Sequence, residues 1–166
     1  MELLSFESDV RALAAALCAR GWRMAAAESC TGGLVAAACT ALAGSSDWFE
    51  RGFVTYSNAA KTELLGVPAA LIEQHGAVSG AVVRAMAEGA LAHSRAQASL
   101  AVTGIAGPAG GSADKPVGTV WFGWCVAGQT EAQRRRFDGD RGTVRAQATL
   151  HALHELARRL AAPALT

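Results

Sequence analysis

Three blocks of polar and glycine residues interrupt an otherwise apolar chain of 166 residues, of which 51% are hydrophobic and 17% charged. The first block is SCTGG (29–33), the second is YSNAAK (56–61), and the third is TGIAGPAGG (103–111). Together they supply hydroxyls, one amine and many glycine N–H groups. A hydroxyl nucleophile, a basic amine and N–H donors for a developing oxyanion are the parts that acyl transfer requires.

The first block offers two neighbouring nucleophiles, Ser29 and Cys30, ahead of a glycine pair. If this block opens a helix, its N–H groups face outward at the positive end of the helix dipole, where an oxyanion or a phosphate binds. Thiols are the better nucleophiles, but the sequence shows no histidine partner for Cys30, so we favour Ser29. The structural alternative is that Ser29 and Thr31 are ordinary helix caps.

The second block holds the only tyrosine, Tyr56, and one of the two lysines among 15 basic residues. Lysine differs from arginine in that burial can remove its proton, so Lys61, or Tyr56 held beside it, can activate a serine. To act near neutral pH, the pKa of Lys61 must fall by about three units, which corresponds to about 4 kcal/mol. A core aromatic at Tyr56 and a surface lysine at Lys61 form the alternative.

The third block lies in a Gly/Pro-rich loop over 105–116 that includes the second lysine, Lys115. Repeated glycines permit positive φ angles and a concave group of N–H donors suited to phosphate or carboxylate. A flexible surface loop is the alternative. Farther along the chain, Arg141 and Arg145 are spaced one helical turn apart, as a phosphate site or a set of salt bridges at a helix start requires.

Strands alternate with helices along the chain. Hydrophobic periodicity and cap residues predict helices over 6–20, 34–44, 58–66, 68–76, 79–95 and 142–161, with Asn58 and Ser79 as N-caps. Strands are predicted over 22–28, 53–57, 98–104, 117–128 and 129–137. This order predicts a single α/β domain over 1–166: a three-layer α/β/α sandwich with a mostly parallel mixed sheet and a C-terminal antiparallel hairpin. Because each polar block follows a strand, all three can meet at one sheet edge.

Composition and charge exclude several classes of protein. The net charge of +1 and the lack of a basic, aromatic-rich face argue against direct contact with nucleic acid. No apolar run reaches the length of about 18 residues that a membrane span needs. The acidic start MELLSFESD is unlike a signal peptide, so we expect a cytoplasmic protein. Four scattered cysteines and four histidines lack the spacing of a zinc site, so no disulfide, metal or cofactor is expected.

Two further patterns concern surfaces. His151 and His154 share a helical face at i,i+3 spacing, which we interpret as a solvated or interface face. Trp121, Phe122 and Trp124 occupy neighbouring strand positions and cannot all face one side of a sheet. We therefore expect a second apolar surface, suited to a subunit contact, and hence a homo-oligomer.

Longer segments give a family resemblance. The segments AESCTGG (27–33), VTYSNAAKTELLGV (54–67), VTGIAGPAGG (102–111), KPVGTVWFG (115–123) and FDGDR (137–141) resemble the C-terminal domain of the CinA proteins, in order and over nearly the whole chain. The resemblance implies an α/β sandwich that assembles as an oligomer. Active members of this family hydrolyse the carboxamide of nicotinamide mononucleotide to nicotinic acid mononucleotide and ammonia, a step of pyridine nucleotide recycling.

Carried over block by block, the resemblance implies that Ser29 is the nucleophile and that Lys61 and Tyr56 activate it. The residues that it implies for substrate contact are Cys30, Thr31, Gly32, Gly33, Asn58, Thr103, Gly104, Gly107, Gly110, Gly111, Arg141 and Arg145. The alternative function is that of a non-catalytic nucleotide-binding module with the same fold and a regulatory role in competence or the response to DNA damage.

Overall fold

The computed structural model of the chain describes residues 3–162. Its strands are β1 (Met24–Glu28), β2 (Phe49–Val54), β3 (Ala98–Gly104), β4 (Thr119–Val126) and β5 (Gln129–Arg136). They form one sheet in the order β2-β1-β3-β4-β5. β1 runs parallel to β2 and β3, whereas β4 runs antiparallel to both β3 and β5, so every strand except β4 shares one direction. The predicted mixed sheet with a C-terminal hairpin is confirmed.

Helices cover both faces of this sheet. On one face lie α1 (Glu7–Arg20), α2 (Leu34–Thr40) and α6 (Arg141–Ala161), and on the other lie α3 (Asn58–Leu65), α4 (Ala69–His75) and α5 (Gly80–Ala92). Two 3-10 helices, Leu3–Phe6 and Ser45–Asp47, precede α1 and β2. Each face has its own buried apolar cluster, so the three-layer prediction is confirmed. None of the helices within residues 3–162 is both long and apolar enough to cross a membrane.

Small residues in β1 let both helix layers approach the sheet closely. All of β1, MAAAE, is buried. Met24 and Ala26 belong to the cluster under α1 and α6, whereas Ala25 and Ala27 belong to the cluster under α5, as the alternation of side chains along a strand requires. Because β1 is covered on both faces, its apolar run is continuous rather than alternating with polar residues.

The register of the parallel strands brings their carboxyl ends level. Glu28 at the end of β1 pairs with Val54 of β2 and with Val102 of β3. Ser29 therefore leaves β1 between the ends of its two neighbours, beside Thr103 near the end of β3. Since β1 lies between β2 and β3, the chain crosses over β1 here, and such a crossover point is where open α/β sheets bind ligands.

One strand is displaced from its predicted position. The strand predicted over 53–57 lies at Phe49–Val54, where it pairs with β1. Thr55 closes the pairing, because its N–H donates to the Glu28 carbonyl at 2.8 Å, and the chain then turns away from the sheet. Tyr56, which was predicted to lie within this strand, therefore follows it by two residues.

One of the two predicted helix N-caps is confirmed and the other is wrong. Ser79 caps α5 as predicted. Asn58 is not the N-cap of α3, because the Ser57 hydroxyl accepts the hydrogen bond from the Ala60 N–H at 3.0 Å and Asn58 is the first helical residue. The helix predicted to reach residue 44 ends at Thr40, whose hydroxyl donates back to a carbonyl of the preceding turn.

The aromatic residues of β4 do not form an exposed apolar surface. Phe122 and Trp124 stack with their ring centroids 5.7 Å apart in the cluster under α6. Trp121 packs on the opposite face, in the cluster under α5. As predicted, the three aromatic residues do not all face one side of the sheet, and Trp121 is only partly buried. The subunit contact and the homo-oligomer stay predictions.

The two histidines of α6 have different surroundings. His151 is half-buried against Phe122, at 4.7 Å between ring centroids, and bonds to the Gln133 side chain at 2.7 Å. Burial lowers the pKa of His151 to about 4. His154 is exposed and pairs with Asp9 at 3.0 Å. The interpretation as a solvated face thus fits His154, whereas His151 belongs to the edge of the core.

Replacing Gly89 by Ala is expected to destabilise the fold by about 1–3 kcal/mol, because a Cβ there would collide with the Leu65 carbonyl where α5 crosses α3. Gly142→Ala in α6 is the matched control. Its Cβ would meet only Asp140 Oδ1 at 3.5 Å, and alanine favours the helix, so we expect no loss or a gain of up to about 1 kcal/mol. Urea unfolding measures both differences, and wild-type stability of Gly89→Ala would contradict this packing.

Candidate active site

A cleft of about 230 Å³ opens where β1, β2 and β3 end. Each of the three polar blocks contributes to its lining, so the predicted convergence at one sheet edge is observed. The cleft is lined by Ser29, Cys30, Tyr56, Asn58, Lys61, Ala77, Val78, Thr103, Gly104, Ala106 and Arg141. Two of these residues, Lys61 and Arg141, have basic side chains, and within residues 3–162 no carboxylate belongs to the lining. The cleft therefore suits an anionic or neutral ligand.

Lys61 and Ser29 meet at the bottom of this cleft. The Lys61 Nζ lies 3.1 Å from the Ser29 Oγ, and only 1% of the Lys61 surface is exposed. The same Nζ donates to the carbonyl of Thr55 at 2.9 Å and lies 3.4 Å from the carbonyl of Tyr56. Burial lowers the pKa of Lys61, because removal of water disfavours the charged amine. The amine and the serine hydroxyl are therefore close enough to exchange a proton.

The turn after β1 holds Ser29 rigidly. Its N–H donates to the Val102 carbonyl of β3 at 3.0 Å, and its own carbonyl accepts from the Gly32 N–H at 3.0 Å. Gly32 and Gly33 have φ angles of +56° and +102°, which side chains rarely allow. The glycine pair is needed to reverse the chain directly behind the nucleophile.

A buried carboxylate that the sequence analysis did not single out secures the same turn. Glu28 is 0% exposed, and its carboxylate accepts hydrogen bonds from the N–H groups of Gly33 at 3.2 Å, Val35 at 2.8 Å and Ala36 at 3.1 Å. The Glu28 carboxylate thus occupies the N-terminal end of α2, where an external anion would otherwise bind. The N–H groups of Gly32 and Gly33, which the sequence offered for an oxyanion or phosphate, are therefore already bonded within the protein.

Two N–H groups in the turn stay open. Among residues 3–162, no other residue accepts a hydrogen bond from the N–H of Cys30 or of Thr31. These groups directly follow Ser29, and the N–H of the residue after a nucleophile is a common oxyanion donor. The Thr31 hydroxyl is buried without a hydrogen-bond partner and does not line the cleft.

Cys30 is poorly suited to act as the nucleophile. The thiol is buried, and burial raises its pKa to about 12. A thiol with such a pKa is protonated and unreactive at neutral pH. This geometry favours Ser29 over its neighbour, in agreement with the choice made from the sequence.

Tyr56 and Arg141 form a bridge across the mouth of the cleft. Arg141 Nη2 donates to the Tyr56 hydroxyl at 3.0 Å, and Nη1 donates to the Gly107 carbonyl at 2.8 Å. Tyr56 is 61% exposed and contacts Lys61 through its main-chain carbonyl rather than its hydroxyl. Asn58, also exposed, lies on the same rim.

Only part of the third block lines the cleft. Thr103 is buried and donates to the Ala77 carbonyl at 3.0 Å, which fixes one wall of the cleft, and Gly104 lines that wall. Gly110 and Gly111 are exposed and lie outside the lining. Lys115, the second lysine, also lies outside it and donates to the His75 carbonyl at 3.1 Å.

Arg145 does not reach the cleft. Its Nε donates to the Cys30 carbonyl at 3.0 Å and its Nη2 to the Thr31 carbonyl at 3.1 Å. The guanidinium that the sequence offered for a phosphate is therefore directed at the main chain behind the nucleophile, and Arg141 is the arginine of α6 that faces the cleft.

Comparison with known proteins gives concordant results. Residues 7–160 match the family model described as the CinA C-terminal domain. The chain is 56% identical over 147 residues to the Enterobacter agglomerans protein named nicotinamide-nucleotide amidohydrolase PncC, covering 88% of this chain and 90% of that protein. It is 56% identical over 142 residues to the protein of the same name from Escherichia coli K12, covering 85% of this chain and 86% of that protein.

Solved structures of CinA superfamily proteins share the fold. One from Klebsiella pneumoniae 700603 superposes with a TM-score of 0.89 at 45% identity, covering 93% of this chain and 96% of that chain. The competence/damage inducible protein CihA from Agrobacterium tumefaciens superposes with a TM-score of 0.89 at 43% identity, covering 93% and 94%. The predicted α/β class is thus confirmed.

The cysteines allow a direct test of the burial of the turn. Iodoacetamide at neutral pH is expected to modify the exposed Cys18 and to leave Cys30 unmodified, because burial keeps Cys30 protonated. The same treatment after unfolding in urea should modify both, and mass spectrometry of the peptides reports each site. Rapid modification of Cys30 in the native protein would show a reactive thiol and reopen the choice of nucleophile.

Proposed function

We propose, since the chain belongs to the CinA C-terminal domain family, that it hydrolyses the carboxamide of nicotinamide mononucleotide to nicotinic acid mononucleotide and ammonia. The proposal depends on one observation above all: a buried lysine amine lies 3.1 Å from a serine hydroxyl at the bottom of a cleft. Two relatives that are 56% identical over most of their length carry the name nicotinamide-nucleotide amidohydrolase, which agrees with it.

The contacts of Lys61 suit a neutral amine. A neutral amine has two N–H donors and one lone pair. With the N–H groups directed at the carbonyls of Thr55 and Tyr56, the lone pair faces the Ser29 hydroxyl and can accept its proton. A histidine is not needed as the base, because burial lowers the pKa of the Lys61 amine and a neutral amine can take a hydroxyl proton.

The reaction follows as two acyl transfers. Ser29 Oγ attacks the carboxamide carbon while Lys61 takes the hydroxyl proton, and a C–O bond forms as the carbonyl oxygen becomes an oxyanion. Lys61 then gives the proton to the amide nitrogen, the C–N bond breaks, and ammonia leaves an acyl ester on Ser29. Water attacks this ester with Lys61 as the base, and the carboxylic acid leaves as Ser29 regains its proton.

The Cys30 N–H supplies the oxyanion donor, because Cys30 directly follows Ser29 and lines the cleft. The N–H groups of Gly32 and Gly33 in the same turn are bonded within the protein. Fixed N–H donors at the developing negative charge stabilise the tetrahedral intermediate more than the ground state, and a single such donor is worth about 100-fold to 1000-fold in rate.

Arg141 supplies the contact for the nucleotide phosphate. The cleft of about 230 Å³ accommodates the amide-bearing ring end, so the ribose phosphate extends toward the mouth. There the exposed guanidinium, held by Gly107 and the Tyr56 hydroxyl, can bind phosphate oxygens. Tyr56 thus contributes through its carbonyl to the base and through its hydroxyl to substrate binding, with Asn58 beside it on the rim.

Removing either reacting group should abolish turnover. Ser29→Ala and Lys61→Met are each expected to lower kcat for release of ammonia from nicotinamide mononucleotide by about 10⁴-fold or more. Lys115→Met is the matched control, because that amine contacts only a carbonyl outside the cleft, and its rate should stay within about twofold of wild type. Wild-type protein that is stabilised against heat by the nucleotide but releases no ammonia would contradict the amidase and favour the binding module.

The pH dependence should report the buried amine. Catalysis requires unprotonated Lys61, so kcat/KM should rise with pH, about tenfold per unit, until it levels above the Lys61 pKa. Because burial lowers this pKa, the midpoint should lie below the ordinary lysine value of about 10.4. Steady-state assays across pH locate the midpoint. A rate that falls with rising pH through the neutral range would be incompatible with an amine base.

A further inference from the structure

We propose that Arg145 is a positioning residue that holds the turn directly after Ser29, through the carbonyls of Cys30 and Thr31, in the geometry that the reaction requires. The proposal rests on the proposed function, since it concerns the same reaction. It gives Arg145 a role distinct from the substrate contact that the family resemblance implies for it.

The contacts of Arg145 are made to main-chain carbonyls of the turn. Nε donates to Cys30 at 3.0 Å and Nη2 donates to Thr31 at 3.1 Å, across more than a hundred residues of sequence. The guanidinium lies directly over the turn, because a Cβ built on Gly32 would be 3.3 Å from Nη2. A planar guanidinium with two such bonds fixes both carbonyls in direction as well as in place.

Fixing the Cys30 carbonyl fixes the Thr31 N–H as well, whereas the Cys30 N–H belongs to the peptide unit of the Ser29 carbonyl, which accepts from the Gly32 N–H. In a trans peptide unit the C=O and the N–H point in opposite directions. Since the Cys30 carbonyl points at Arg145, the Thr31 N–H in the same peptide unit points away from it. Arg145 therefore sets the orientation of the peptide unit between Cys30 and Thr31, directly after Ser29.

Glu28 and Arg145 hold the turn through different main-chain groups. Glu28 accepts from the N–H of Gly33 and of the first residues of α2, whereas Arg145 donates to the carbonyls of Cys30 and Thr31. The Gly32 N–H is taken by the Ser29 carbonyl. In the described chain this leaves only the N–H groups of Cys30 and Thr31 without an acceptor in another residue of the turn.

The positions of Arg141 and Arg145 in α6 distinguish this role from phosphate binding. Arg141, one turn earlier in α6, lines the cleft, and Arg145 does not. A residue that binds the substrate in ground and transition states alike changes KM, whereas a residue that orients oxyanion donors changes kcat. The two arginines should therefore differ in which kinetic constant their loss affects.

The test is ammonia release from nicotinamide mononucleotide by full-length Arg145→Ala, Arg145→Lys and Arg158→Ala. Arg145→Ala should lower kcat by about 100-fold, and Arg145→Lys by about tenfold, because one nitrogen cannot hold two carbonyls. KM should stay within about twofold in both, and the midpoint of the pH profile should not move. Millimolar guanidinium ion, added to Arg145→Ala, should raise its rate. Arg158→Ala removes an exposed arginine of the same helix and should behave as wild type.

Each outcome decides the proposal. Guanidinium rescue of a selective loss of kcat supports it, since a folding defect would lower the apparent kcat but would not be reversed by the ion. A raised KM with wild-type kcat overturns it and returns Arg145 to substrate binding. If Arg145→Ala fails to fold, wild-type kcat in Arg145→Lys overturns it. Inactive wild-type protein overturns this proposal and the proposed function together, whereas active wild type with an unchanged Arg145→Ala overturns this proposal alone.

Discussion

Burial of one amine constrains the geometry of the whole cleft. Removing water from a charged ammonium costs free energy, so the burial of Lys61, of which only 1% is exposed, lowers its pKa. Its stem occupies space in the α3 layer, and its N–H groups need acceptors at the bottom of the cleft. The carbonyls of Thr55 and Tyr56 provide them only because β2 ends at Val54 and the chain turns there. The end of an edge strand therefore places the base.

The nucleophile depends on a similar constraint from the opposite layer. Ser29 follows the central strand, which is level with both neighbours, and its turn is held by Glu28 through N–H groups and by Arg145 through carbonyls. No other carboxylate or guanidinium of the described chain bonds to this turn. Preorganised donors do not have to reorient as charge develops, which is the main advantage of a rigid site over water. The small residues of β1 allow this arrangement, because both helix layers can approach the strand that carries Ser29.

The sequence predicted site residues that stand out by composition or by position after a strand. It could not predict contacts between residues that lie far apart in the chain. The rarity of lysine and tyrosine singled out Lys61 and Tyr56, and the position of each polar block after a strand predicted their convergence. Lys115 carries the same rarity signal but lies outside the cleft, so composition alone could not separate the two. The partners of Glu28 and Arg145 are main-chain groups, and those of Arg145 lie more than a hundred residues away, which no local pattern encodes.

The absence of carboxylates from the lining, within residues 3–162, has a consequence for the base. A negative charge near Lys61 would stabilise the protonated amine and raise its pKa, which opposes its use as a base. An anionic substrate brings such a charge with it. In the proposed complex, Arg141 at the mouth offsets part of the phosphate charge and so limits the rise in the Lys61 pKa that a bound anion would cause.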